Sequence, residues 1–196
     1  MKALLLTAVA ALALSACSKH DDSNTTAMTT DSNAMANEAV ATDTGNAMAA
    51  NTMGAMQNDA ASFVMNAAQS DMYEIAAGKM AASKATSADL KKFGTMMVEA
   101  HTATTAGLKA AIAKGGVKVT PPTAPDAEHQ AMLDELKAKT GADFDATYLA
   151  QQRTAHTKAL SLMQEYAASG DNDALKAFAA DTAPKVQSHL DMLGKM

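Results

Sequence analysis

From about residue 59 onward, large apolar residues recur at three- and four-residue steps, which is the spacing of one face of an α-helix. Ser87 is a suitable N-cap for one such segment, and Gly115 and Gly116 end it. Pro184 falls inside the last segment, where we expect it to kink or divide the helix. The periodicity predicts four long helices, over about 59–82, 88–114, 142–169 and 172–194, and a short one over about 126–139.

These elements predict an all-α fold. Four long amphipathic helices joined mostly by short turns favour an antiparallel four-helix bundle over residues 59–196. Three prolines between residues 121 and 125 prevent a continuous helix there, so the short extra helix follows a proline loop between helices 2 and 3. Alanine and methionine are abundant, whereas aromatic residues make up 4% of the chain, which indicates slim helix interfaces.

The segment before the bundle, residues 17–58, is predicted to be a disordered linker. Ser, Asn, Thr, Asp and Ala dominate it, so it buries too little apolar area to offset its chain entropy. Its methionines are Met28, Met35, Met48, Met53 and Met56. Thioethers select Cu(I), so copper binding by the linker is one interpretation. The other interpretation is a linker of low sequence complexity whose methionines bind no metal, because their spacing is irregular.

The first sixteen residues have the plan of a secretory signal peptide. Lys2 precedes an apolar run that is too short to span a bilayer, and small residues follow it. The sequence Leu14-Ser15-Ala16-Cys17 resembles the bacterial lipobox, which implies cleavage before Cys17 and lipidation of its thiol. Ser18 then implies an outer-membrane anchor with the domain facing the periplasm. An ordinary cleaved signal followed by a chance cysteine is the alternative.

Polar residues interrupt the apolar stripes of all four long helices. His101, His156 and His189 lie on three stripes, and Asp71 and Glu74 lie on the first. We expect up-down topology to place the turns near residues 85 and 171 at the same end of the bundle. At 1.5 Å per residue, the three histidines then lie about 24, 22 and 27 Å from that end, and the carboxylates about 21 and 16 Å. The pattern predicts a single buried polar layer.

Two interpretations of this layer stay open. Imidazole and carboxylate groups are ligands for zinc, iron, copper or manganese, with the three histidines, Glu74 and Asp71 as candidate ligands. The other interpretation is a buried hydrogen-bond network that fixes helix pairing. We expect Asp145, Tyr148 and Gln152 to support a second polar layer deeper on the third long helix. His20 in the linker and His129 on the exposed short helix lie outside the predicted site.

Several segments in the right order carry a family resemblance: Phe63-Val64, Glu74–Lys79, Met96–Thr102, Asp143–Leu149, Ala155–Leu160 and Pro184 with His189-Leu190. The chain resembles a domain-of-unknown-function family (DUF4142) of predicted outer-membrane or periplasmic proteins, which implies a ferritin-like bundle. Ferritin-like di-iron sites use paired Glu-x-x-His motifs, and this sequence has none. A di-iron site is therefore not expected, and a mononuclear or histidine-rich site is the better prediction.

Charge and motifs narrow the function. A net charge of −5 gives no reason to expect nucleic-acid binding. The chain has no recognisable nucleophile–base pair or phosphate loop, so no catalytic residue is predicted. The favoured interpretation is a non-enzymatic, lipid-anchored envelope protein that binds a ligand or acts in stress. A metal-dependent redox or storage protein and a passive structural lipoprotein are the alternatives. The membrane is the one partner that the sequence predicts.

Overall fold

In a computed structural model of the chain, residues 58–196 are described, and within this range the structure is entirely helical. The predicted signal peptide, Cys17 and all of the linker before residue 58 lie outside the described residues. The all-α prediction is confirmed, and each predicted helix end lies within two residues of the observed one. The helices are α1 (Ala60–Lys84), α2 (Ala88–Gly115), α3 (Ala127–Ala138), α4 (Gly141–Ser169) and α5 (Asp173–Leu193).

Side chains that precede the helices fix several of their starts. The side chains of Asp59, Ser87 and Asn172 accept hydrogen bonds from backbone N–H groups in the first turns of α1, α2 and α5. Gly116 ends α2 in the left-handed conformation, with φ 64°. Of the two expected effects of Pro184, division of the helix does not occur, because α5 runs without a break from Asp173 to Leu193. Buried Thr182 and Val186 on either side of the proline hold the helix against its neighbours.

The long helices form two hairpins, α1–α2 and α4–α5, with α2 also packed on α5 and α1 on α4. The two tight turns lie at opposite ends of the bundle, so the expectation of a shared end was wrong. The backbone N–H groups of Thr86 and Ser87 donate to Asp145 near the start of α4. At the other end, Asn172 Nδ2 donates to the carbonyl oxygen of Gly115 at the end of α2.

The connection between α2 and α4 explains this arrangement. The proline loop and α3 carry the chain from one end of the bundle to the other, and Lys84 Nζ donates to the carbonyl oxygens of Leu136 and Lys137 at the end of α3. With this crossover, all four pairs of neighbouring long helices are antiparallel. His101 and His156 still lie at similar depth, because α2 and α4 both begin at the end that holds the α1–α2 turn.

Apolar side chains form two clusters, one toward each end of the bundle. The first cluster, at the end with the α1–α2 turn, includes Phe93, Phe144 and Leu193, and the second includes Phe63, Tyr166 and Leu175. Six of the buried polar residues lie between them, toward the centre of the bundle. We call this set the middle layer: Asp71, Glu74, His101, Gln152, His156 and His189.

The α1–α2 pair is especially close. A Cβ atom at Gly78 would lie 2.7 Å from the carbonyl oxygen of Gly94, and one at Gly94 would lie 2.7 Å from that of Gly78. Glycine is therefore required at both positions for the two backbones to approach. This contact brings Asp71 and Glu74 of α1 alongside His101 of α2. Within residues 58–196, no helix is long and apolar enough to cross a membrane.

Candidate metal centre

The middle layer receives side chains from all four long helices. Asp71 and Glu74 come from α1, His101 from α2, Gln152 and His156 from α4, and His189 from α5, and each is at most 8% exposed. The sequence pattern predicted five of them in one polar layer and placed Gln152 in a second, deeper layer; the bond of Gln152 to Glu74 instead places it in the same layer. Burying six polar groups in the centre of a bundle is costly unless they bind one another or a ligand.

His101, His156 and His189 converge at the centre of this layer. Their ring centroids are 5.9 Å apart for His101 and His156, 6.0 Å for His101 and His189, and 5.3 Å for His156 and His189. One potential ligand atom from each ring lies within 4.8 Å of the other two. We call these residues the three-histidine cluster. The tertiary fold therefore brings imidazoles from three different helices close enough together to hold one metal ion.

His101 is held by a carboxylate on the side of its ring that faces α1. Its Nδ1 lies 2.7 Å from Asp71 Oδ1, and Thr105 Oγ1 donates to Asp71 Oδ2 over 2.9 Å. The other ring nitrogen, Nε2, is buried without a hydrogen-bond partner among the described residues. A carboxylate on one nitrogen that leaves the other free is the usual outer-sphere support of a metal-binding histidine.

His156 is held by a backbone carbonyl. Its Nδ1 lies 2.9 Å from the carbonyl oxygen of Gln152, so Nδ1 carries the proton and Nε2 is the unprotonated nitrogen. His156 Nε2 and His189 Nδ1 are both buried, and in the part of the chain that the structure describes neither has a partner. The Phe93 ring borders both histidines, with centroid distances of 6.2 and 6.5 Å. Each member of the cluster thus presents a free nitrogen in a largely dry environment.

Glu74 lies behind His156, on the Nδ1 side of its ring. Glu74 Oε2 accepts a hydrogen bond from Gln152 Nε2 over 2.7 Å, and Oε1 lies 3.6 Å from His156 Nδ1. Burial raises the pKa of Glu74 to about 7, although the nearby charge of His101 opposes this shift. Asp71 and Glu74 are therefore both placed as supports of histidine rings, and neither belongs to the group of three ligand atoms.

The protonation states of two of the three histidines suit metal binding. Burial, together with the nearby charge of His101, lowers the pKa of His156 to about 3 and that of His189 to about 4. Burial also acts to lower the pKa of His101, but the hydrogen bond to Asp71 and the charge of Glu74 raise it above its ordinary value. Two of the three imidazoles are therefore neutral near pH 7, the form that coordinates a metal.

The expected second polar layer is only partly present. Asp145 lies at the end of the bundle, where its carboxylate accepts hydrogen bonds from the backbone N–H groups of Thr86 and Ser87. It is seven residues from Gln152, or about 10 Å along the helix axis, too far to reach the middle layer. Tyr148 is fully buried in the first cluster, and the charge of Glu74 adds to the effect of burial in raising its pKa.

Sequence reasoning missed three polar residues around the layer. Thr105 supports Asp71, and its position four residues after His101 on α2 was the available signal. Tyr73 is fully buried and donates to Gln151 Oε1 over 2.9 Å. Neither Tyr73 nor Gln151 lies on the inward stripe that the sequence predicts for its helix. The hydrogen bond between them depends on α3, which packs beside α1 and α4. His129 pairs with Asp126 on α3, outside the middle layer.

Comparisons with known proteins agree with this fold. The solved structure of CopM in the Cu(II)-bound form is similar, with a TM-score of 0.59 at 16% sequence identity; the similarity covers 70% of this chain and 94% of that chain. No curated protein matches the sequence. The model of the domain of unknown function DUF4142 matches residues 45–196, most of the chain. The protein therefore belongs to the DUF4142 family.

Proposed function

We propose that the bundle binds one transition-metal ion through His101, His156 and His189. The observation that carries this proposal is the convergence of three buried histidines from three helices, with one potential ligand atom of each within 4.8 Å of the other two. In addition, one nitrogen of each ring is buried without a hydrogen-bond partner in residues 58–196. Asp71 and the carbonyl of Gln152 fix two of the rings from behind. Of the five candidate ligands in the sequence, the histidines form the site and the two carboxylates support it.

A purely structural network accounts less well for these contacts. A network that fixes helix pairing pairs its donors and acceptors. In the middle layer, Glu74 Oε1, Gln152 Oε1 and one nitrogen of every histidine are buried without a hydrogen bond. Each unpaired buried group costs about 1–3 kcal/mol. A bound cation that takes the three nitrogens as ligands removes the largest part of that cost.

Copper(II) is the metal that this donor set favours most. Imidazole suits zinc, copper, iron and nickel, and the affinity of such sites rises along the first-row series to Cu²⁺. CopM, which shares the helical fold, is known in a Cu(II)-bound form. Zinc is the second candidate, because neutral imidazoles also bind it in a tetrahedral site. The lack of paired Glu-x-x-His motifs argues against two iron ions.

Metal titration of the whole protein tests the proposal. Protein purified in detergent without chelators is titrated with Cu²⁺ and, separately, Zn²⁺ by calorimetry, and the copper complex is examined by electron paramagnetic resonance. We expect one ion per chain and nitrogen superhyperfine splitting from histidine ligands. His156→Gln should remove this site, whereas His129→Gln, a change to a histidine outside the layer, should leave it intact.

The result that overturns the proposal is equally specific. Less than a tenth of an equivalent of tightly bound metal in the wild type would show that the middle layer has a structural role only. One equivalent of metal that stays bound to the triple variant His101→Gln, His156→Gln and His189→Gln would lead to the same conclusion. Circular dichroism of each variant shows whether the helices remain, so that loss of metal is not mistaken for loss of fold.

We also propose that the domain is attached to the outer membrane through lipid on Cys17 and faces the periplasm. Support comes from the sequence Leu14-Ser15-Ala16-Cys17 and from Ser18 after it. Labelled fatty acid should be incorporated by the wild type and lost in Cys17→Ser. Undiminished labelling of that variant would contradict the anchor, and recovery of labelled wild-type protein in the inner-membrane fraction would contradict its location.

A further inference from the structure

A cleft leads from the surface of the bundle to the three-histidine cluster. It has a volume of about 560 Å³ and is lined by residues of all four long helices, mainly those of α2 and α5. His101 and His189 both line it, whereas His156 does not. His101 and His189 are 6% and 8% exposed, whereas His156 is 1% exposed. The cluster is therefore closed on the side of His156 and approachable on the side of the other two rings.

We propose that a metal bound in the three-histidine cluster keeps one coordination position open to this cleft, and that the position takes a small monodentate anion from solvent. The inference rests on the proposed function, because it needs the metal. It goes further by assigning a class of exogenous ligand and a route to the site. An open position is the feature that separates reactive metal sites from closed structural ones.

Among the described residues, no fourth histidine, cysteine or carboxylate joins the group of three ligand atoms. The two nearby carboxylates are on the Nδ1 sides of their histidines: Asp71 is bonded to His101 and Thr105, and Glu74 is bonded to Gln152. Zinc and copper sites with three protein ligands complete their coordination with water or an exogenous ligand. That ligand has to arrive through the cleft.

The walls of the cleft leave room for a small ligand, and a bound metal would favour a negative one. Ala100, Ala103 and Gly107 of α2 and Ala177 of α5 are among its lining residues, and their small side chains leave space between these helices. Lys114 and Lys185 line it together with the carboxylates Asp71 and Asp181. Lys185 is four residues before His189, which places it on the same face of α5. Because the lysines balance the carboxylates, a bound divalent ion gives the lined cleft a net positive charge.

Azide binding to the copper-loaded whole protein tests the inference. Azide is a monodentate anion, and its coordination to Cu²⁺ produces a charge-transfer absorption band. We expect a saturable band with one azide per copper, while nitrogen splitting from the histidines persists in the resonance spectrum. A phenylalanine in the cleft should hinder entry, so Thr104→Phe should weaken azide binding at least tenfold with copper stoichiometry unchanged.

Thr95→Phe is the matched control. Thr95 and Thr104 are both on α2, and each hydroxyl donates to the carbonyl oxygen four residues earlier. Thr104 lines the cleft, whereas Thr95 faces a separate pocket between α1 and α2. The control should bind azide as the wild type does. Ala177→Phe narrows the cleft from the α5 side and gives a second test if Thr104→Phe does not fold.

Three outcomes separate this inference from the proposed function. Copper binding without an azide band would overturn the open position and leave the metal site standing. An azide band of equal affinity in the wild type, Thr104→Phe and Ala177→Phe would overturn the assigned route. Absence of copper binding in the wild type would overturn the metal site and, with it, this inference.

Discussion

The middle layer and the second apolar cluster belong to the same four helices, yet their buried polar atoms differ in hydrogen bonding. In the second cluster, the Tyr166 ring stacks on Phe63 with centroids 3.9 Å apart, and its hydroxyl donates to Asp171 Oδ1 over 2.9 Å. In the middle layer, one nitrogen of every histidine is buried without a partner among the described residues. The second cluster therefore contributes mainly to stability, whereas the middle layer retains unsatisfied groups that suit a ligand.

The same contrast separates two carboxylate–histidine pairs. His129 in the first turn of α3 and Asp126, the residue before that helix, are 2.8 Å apart, with the carboxylate about half exposed. His101 and Asp71 are 2.7 Å apart between two helices, and both side chains are buried. An exposed pair contributes little, because solvent screens it and each charge stays hydrated without its partner. Only the buried pair orients an imidazole toward other ligands.

The largest effect should come from an end of the bundle. Phe63→Ala removes a fully buried ring from the second cluster, and loss of a buried phenylalanine lowers the free energy of unfolding by about 3–5 kcal/mol. Urea denaturation of the metal-free protein measures the change. Metal stoichiometry should not change, because the ring is outside the middle layer. Met65→Ala, a partly exposed position two residues away, should change stability by less than about 0.5 kcal/mol. A similar loss in the two variants would contradict this division of roles.

The second-largest effect should come from the middle layer, where a substitution is not expected to lower the free energy of unfolding of the metal-free protein. His156→Leu replaces a buried polar ring by an apolar side chain, so the metal-free variant should be at least as stable as the wild type. Copper at 100 times its Kd should stabilise the wild type by about 2.7 kcal/mol and leave the variant unchanged. Denaturation with and without metal gives both values. An equal metal-induced shift in the two proteins would show that copper binds elsewhere.

The smallest effect should come from Asp145, the predicted polar-layer residue that instead binds the α1–α2 turn through the backbone N–H groups of Thr86 and Ser87. Asp145→Ala should lower the free energy of unfolding by about 1 kcal/mol at neutral pH, the usual net loss of a hydrogen bond, with no change in metal binding. Burial raises the pKa of Asp145, but the hydrogen bonds from Thr86 and Ser87 outweigh it and lower the pKa below 3.8.

Because this pKa is lower in the folded chain, the contribution of Asp145 is present above about pH 4 and is lost as the pH falls through the folded-state value. The difference between wild type and Asp145→Ala should therefore shrink between pH 7 and pH 3. Denaturation at the two pH values checks this. A difference that grows in acid would contradict this role of Asp145 in the turn.

Local chemistry made much of the structure predictable. Helix limits followed from Ser87, Gly116 and the periodicity of apolar residues, because caps and amphipathic stripes depend on neighbours within a few positions. The inward placement of the three histidines followed from the same stripes. Pro184 shows where local rules fail: its missing N–H weakens one turn, but packing of Thr182 and Val186 keeps α5 whole.

The sequence by itself determined the helices, the bundle and the three polar positions that face its centre, because each depends on residues close together along the chain. The tertiary structure decided the rest. Contacts of Asp145 and Asn172 place the two turns at opposite ends, and the Asp71–His101 and Gln152–Glu74 bonds turn two candidate ligands into supports. Which nitrogen of a histidine is free depends on atoms from other turns and other helices, and only the packed bundle brings those atoms within hydrogen-bond distance.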